Sequence, residues 1–124
     1  MQTNPDAFSG WHRSKETRKV CHILEELGMD AVEFSGGTFE SGRYIPSRTG
    51  TAESEDREAY YREAAKRYKR EISMPLILVG GFLSYPIARE VVKLGITDYV
   101  ALARPLIREP HLIKRWGEKD PQKA

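Results

Sequence analysis

Two short runs, Leu76-Ile77-Leu78-Val79 and Tyr99-Val100-Ala101-Leu102, constrain the fold more than any other part of the chain. Each is almost wholly apolar. Each stops on small residues, Gly80-Gly81 in the first case and Ala103, ahead of Arg104-Pro105, in the second. A run without polar alternation suits a strand buried on both faces, as in a parallel sheet. Glycines at its end let the chain turn sharply and let backbone approach a ligand closely. Two neighbouring parallel strands that end this way offer backbone N–H groups and a permanent guanidinium to one phosphate.

The segments around these runs alternate in type. Residues from about Arg13 to Leu27 have helical spacing, with Val20, Ile23, Leu24 and Leu27 as the predicted buried stripe and Gly28 placed to end the helix. A short strand follows over Asp30–Ser35, closed by Ser35-Gly36-Gly37. The loop Thr38–Thr51 carries Arg43 and Arg48; at about fourteen residues it reads equally as a surface excursion or a lid. A second helix is predicted from about Glu53 to Ile72, acidic in its first turns and basic in its last, an order that complements the helix dipole. Its predicted stripe is Tyr61, Ala64, Ala65, Tyr68 and Ile72, with the tyrosines as packing residues remote from the strand ends. Ser84 suits an N-cap, with Pro86 just inside a helix striped by Ile87, Val91 and Leu94 and ended by Gly95. A last helix is expected over His111–Trp116. This order, α-β-α-β-α-β-α, predicts an α/β fold with parallel strands and outer helices, and puts the loops after the strands on one ligand-binding face.

Composition narrows the function. A chain of 124 residues makes one small domain: 1–12 a loose lead-in, 13–119 the folded part, 120–124 a polar tail. A net charge of +2 with 31% charged residues describes a mixed surface, which argues against a nucleic-acid partner. No apolar run approaches the roughly 20 residues that span a bilayer. The N-terminus lacks a basic stretch followed by an apolar one, so no signal peptide is expected. With Cys21 the only cysteine, a reducing cytoplasm fits. His12, His22 and His111 show no metal-ligand spacing, and no metal site is predicted.

Individually the motifs are modest. Gly80-Gly81 serves turn geometry or a ligand with equal reason. Ala103-Arg104 is as readily a solvated cation at a strand end. Together, on adjacent strands, they define a phosphate seat. Ser35-Gly36-Gly37 stands at the same face, as turn chemistry or as a close approach to a ring. Arg43 and Arg48 read as exposed cations, and Cys21 as a semi-buried thiol. No nucleophile elbow, P-loop, dinucleotide fingerprint or acid/base carboxylate pair occurs, so no catalytic residue is assigned.

Four blocks taken in order carry a resemblance: 30–37 (DAVEFSGG), 57–61 (REAYY), 75–82 (PLILVGGF) and 103–110 (ARPLIREP). Together they resemble the Old Yellow Enzyme family, the FMN-dependent NADH:flavin oxidoreductases, NADH oxidases and ene-reductases. The resemblance runs from about Val20 to Asp120. It implies a partial (β/α)8 TIM barrel, the last three βα units (strands six to eight). It implies FMN as cofactor and NAD(P)H as reductant, with Gly80, Gly81, Ala103 and Arg104 holding the FMN phosphate. The family's substrate-binding pair and proton-donating tyrosine have no counterpart here. A whole barrel needs roughly 250 residues. Three strands cannot close one, and they leave two edges and an inner face without partners. The chain is therefore expected to be a fragment, completed by the missing N-terminal barrel half or by self-association. Two other readings stay open: a non-catalytic remnant, and a βα-repeat module for another phosphate ligand.

Overall fold

The run 76–79 becomes the central strand of a three-stranded parallel sheet. In the computed structural model, which describes residues 10–35 and 58–118, the elements are α1 (Gly10–Glu26), β1 (Val32–Phe34), α2 (Arg62–Glu71), β2 (Leu76–Val79), α3 (Tyr85–Lys93), β3 (Tyr99–Ala101), α4 (Arg104–Arg108) and α5 (Leu112–Gly117). The strands lie in chain order, β1-β2-β3. Val32 is paired with Leu76, and Val79 with Ala101.

One face of this sheet is packed. Leu76 and Leu78 are fully buried there, beside Cys21 of α1, Ala65 and Tyr68 of α2, and Ile87 and Val91 of α3. Val32, Phe34 and Val100 join the same cluster. Burying a leucine contributes about 1.5–3 kcal/mol, so the pair in β2 is the energetic centre of the sheet. The strands run in sequence order with α1, α2 and α3 all packed on one side. The sheet is thus singly wound, without the reversal of a doubly wound fold. On its other face Glu33 and Tyr99 are exposed, and Ile77, Val79 and Ala101 keep partial exposure.

Polar ties fix the end of the sheet where the strands begin. The Glu25 carboxylate accepts the N–H groups of Ser73 and Met74, at 3.1 and 2.8 Å, and the Ser73 hydroxyl. Asp98 accepts the Leu76 N–H and the Lys69 ammonium, both at 2.7 Å. The Thr97 hydroxyl lies 2.8 Å from the carbonyls of Leu76 and Tyr99. Both α1 and α3 close as the sequence predicts, with Met29 N–H bonded to Leu24 O before β1 and Ile96 N–H to Val91 O before β3.

Four expectations are corrected. The α1 stripe is wrong: Val20, Ile23 and Leu27 are exposed, and Cys21 and Leu24 face the core. The cause is polar. Arg18 pairs with Glu71, and Glu25 binds the chain ahead of β2; these two anchors, seven residues apart, turn the Cys21 side inward. Helix α2 begins at Arg62, so residues 58–61 are a turn where helix was predicted. Leu94 is exposed, although Ile87 and Val91 are buried as expected. The short α4 after Ala103 was not assigned from sequence. Helix α1 starts at Gly10, so residues 10–12 are helical where a loose lead-in was expected. Residues 1–9 of that lead-in, Gly36 and Gly37, the loop 38–51 with Arg43 and Arg48, the predicted helix start at 53–57 and the tail lie outside the described residues.

Candidate functional site

The pairing of Val79 with Ala101 decides where the strand tips stand. The strands are parallel, so Gly80-Gly81 and Ala103-Arg104 leave the sheet at the same end, beyond a last pair, Val79 and Ala101, that stands about one strand spacing, roughly 5 Å, apart. Gly80 and Gly81 adopt φ of 122° and 72°, a left-handed pair that no L side chain tolerates well. Ala103 and Arg104 are exposed, and Arg104 opens α4. Ser35, also exposed, follows β1 at this end. What this end offers chemically is a tight backbone turn beside a permanent cation able to make two parallel hydrogen bonds to a phosphate.

A second layer holds the turn from behind. The Ala59 N–H donates to the Gly81 carbonyl at 3.1 Å, and Ala59 itself is at φ 48°, left-handed and fully buried. The Tyr60 and Tyr61 rings meet edge to face, with centroids 4.9 Å apart, and cover the two glycines. A Cβ on Gly81 would stand 2.3 Å from Tyr60 Cε1, and one on Gly80 would stand 2.8 Å from Tyr60 Cε2. The glycines are therefore required by the tyrosine rings as well as by φ. Glu58 is 2% exposed. Its Oε2 accepts the Leu83 N–H at 2.9 Å, the Ser84 N–H at 2.8 Å and the Ser84 hydroxyl at 3.0 Å.

These contacts overturn the expectation that Tyr61 lies far from the strand ends, whereas Tyr68 packs in the core as predicted. Tyr61 packs as predicted, but at a strand tip. Sequence reasoning also missed Glu58. Its partners lie 25 and 26 residues away, and its neighbours continue a helical pattern that hid the turn. The one signal was the 57–61 block, which matched as a unit without a role attached.

The other groups singled out in sequence lie elsewhere. Burial raises the Cys21 thiol, with the Tyr68 hydroxyl beside it offsetting part of the effect, so the thiolate is disfavoured. His22 is exposed and sits 3.7 Å from Glu25. His111 precedes α5. The corner carrying α4 is held by Glu109 and Arg115, Nε to Oε1 at 2.6 Å and Nη2 to Oε2 at 2.8 Å, and this pairing holds the Glu109 carboxyl below the usual range. Among the described residues, no three His, Cys, Asp or Glu side chains are placed to hold a metal, and no helix is long and apolar enough to cross a membrane.

A singly wound parallel sheet with helices packed on one face is a βα-repeat arrangement, and the candidate groups follow the C-terminal ends of its strands. No protein-family model matches the chain. Individual relatives do. The chain is 33% identical over 113 residues to the NADH-dependent flavin oxidoreductase iccE of Talaromyces variabilis, a match spanning 83% of this chain and 27% of that protein. It is 33% identical over 96 residues to iliE of Hypocrea jecorina, also named an NADH-dependent flavin oxidoreductase, spanning 74% and 24%. To the NADH oxidase of Thermoanaerobacter brockii it is 28% identical over 109 residues, spanning 88% and 16%. Most of the chain is thus similar to one part of these NADH-dependent flavin oxidoreductases and NADH oxidases, consistent with a fragment of the Old Yellow Enzyme-like family, and it spans about a quarter or less of the length of these relatives.

Proposed function

We propose that the chain is the phosphate-anchoring, C-terminal part of an FMN-dependent NAD(P)H oxidoreductase, and that its three strands form one wall of a (β/α)8 barrel. The observation that carries this reading is the convergence of Gly80-Gly81 and Arg104 at one end of adjacent parallel strands. The relatives' names supply the flavin and the reductant. The single winding supports the barrel, because α1, α2 and α3 pack on one face and the other sheet face is left to close upon further strands.

The residues present fit the phosphate end of FMN. Arg104 matches it in charge and geometry, and the paired glycines bring backbone close to it. When bound, the flavin supplies the hydride-transfer chemistry. This chain's own part is to fix the flavin's phosphate, and so the position of its ring. The span 13–119 is the barrel portion in this reading, completed by the remaining barrel wall, in the cytoplasm.

The test is the visible absorption spectrum of the purified chain after incubation with FMN and removal of free flavin. A retained yellow spectrum is expected. Arg104→Ala is expected to weaken binding at least tenfold, since a hydrogen bond to a charged group contributes about 1.5–3 kcal/mol. A colourless chain whose thermal melt ignores FMN overturns the reading. Equal affinity in Arg104→Ala overturns the role given to that residue.

A further inference from the structure

We propose that Glu58 is a positioning residue of the phosphate seat, and that residues 58–61 are the clamp which sets the Gly80-Gly81 turn before any ligand arrives. The inference rests on the function proposed above and assigns a role to a segment which that function leaves unused.

A turn with two consecutive left-handed residues is not held by its own backbone preferences. Four consecutive residues of one short segment hold this one. Glu58 takes three donors from Leu83 and Ser84, directly after the turn. Ala59 N–H binds the Gly81 carbonyl within it. The Tyr60 and Tyr61 rings pack against its two Cα positions. Ala59 accepts a left-handed conformation to do so, a strain of order 1–3 kcal/mol that persists only where its surroundings over-determine it.

The carboxylate also fills a place that local sequence leaves open. Ser84 caps α3 without a side-chain bond to the helix, because its hydroxyl is given to Glu58. The position three residues on is Ile87, which cannot reach back as a capping-box glutamate would. Glu58 does that work from 26 residues upstream. An anion is thus already bound at the mouth of α3, and a ligand phosphate is directed to the glycines and Arg104. Ordering the turn in advance removes that cost from binding.

Glu58→Gln tests this in the full-length chain. The three donors all meet Oε2; in the variant a neutral amide oxygen takes that place, a weaker acceptor than the carboxylate, and the NH2 takes the place of Oε1. Two readouts are needed. Hydrogen exchange at the Leu83 and Ser84 amides reports the clamp and is expected to quicken at least tenfold. Affinity for FMN and for inorganic phosphate, read by flavin fluorescence and by shifts of the Gly80 and Gly81 amide resonances, reports positioning and is expected to fall about tenfold. Ser84→Ala, which removes one of the three bonds, is expected to give a few-fold effect on both and serves if Glu58→Gln does not fold. Unchanged exchange overturns the clamp. Faster exchange with full affinity overturns the positioning role and leaves the flavin reading standing. Protected amides in a wild-type chain that binds neither probe overturn the flavin reading, and the positioning role with it.

Discussion

Gly81 meets two separate demands, and each alone strains a side chain at that position. Its φ of 72° disfavours any Cβ, and the Tyr60 ring occupies the space a Cβ would need. Gly81→Ala is expected to destabilise the chain by about 1–3 kcal/mol, read by urea denaturation, because the ring and the backbone must both shift. Gly28→Ala is the control, since its φ of 80° is similar but its Cβ would enter open space; it is expected to cost less. Glu25 gives a pH signature. Its bond from Ser73, with the Met74 and Ser73 N–H groups, holds its carboxyl below the ordinary value. A depressed folded pKa adds stability above the unfolded value of about 4.3, and that stability is lost as pH falls through the folded pKa. Glu25→Gln is therefore expected to melt lower than wild type at neutral pH. The gap should close on acidification, which thermal melts across that range would record.

The helices differ in what orients them. In α3 the apolar spacing decides: Ile87 and Val91 are where the pattern puts them. In α1 the apolar spacing loses to two polar anchors, Arg18 to Glu71 and Glu25 to the chain before β2, so Ile23 and Leu27 face outward. Ile23→Ser is accordingly expected to change stability by no more than about 0.5 kcal/mol, as for an exposed site. Leu78→Ala, in the packed face of β2, is expected to cost about 2–5 kcal/mol. Comparable losses in the two variants would restore the stripe that the spacing predicts for α1. In α2 the basic last turn, Lys69 and Arg70, and the stripe from Ala65 to Ile72 were readable, and its start was not. Residues 58–61 have helical spacing but bond to the turn after β2.

A parallel sheet is ordinarily covered on both faces, because βα crossovers and barrel closure bury it. Here Tyr99, Ile77 and Val79 share the face opposite the helices, and β1 and β3 each present an edge among the described residues. An open face of this kind favours association. The expected result is that Tyr99→Lys lowers the sedimentation-measured association of the chain, with itself or with a complementing barrel portion, while changing the monomer's melt little. Unaltered association would show that another surface is used.

The residues alone determined the alternation of helices and strands up to β3, the parallel strands and the proposal of a seat at their ends. Those rest on local rules: unbroken apolar runs for buried strands, 3.6-residue spacing for helices, glycine where φ is positive. Only the tertiary structure decided which side of α1 is buried, where α2 begins, and that Glu58, Tyr60 and Tyr61 stand behind the glycines. Each of these depends on partners some twenty to fifty residues distant. A pattern read over one helical turn carries no information about a hydrogen bond to a carboxylate that far along the chain.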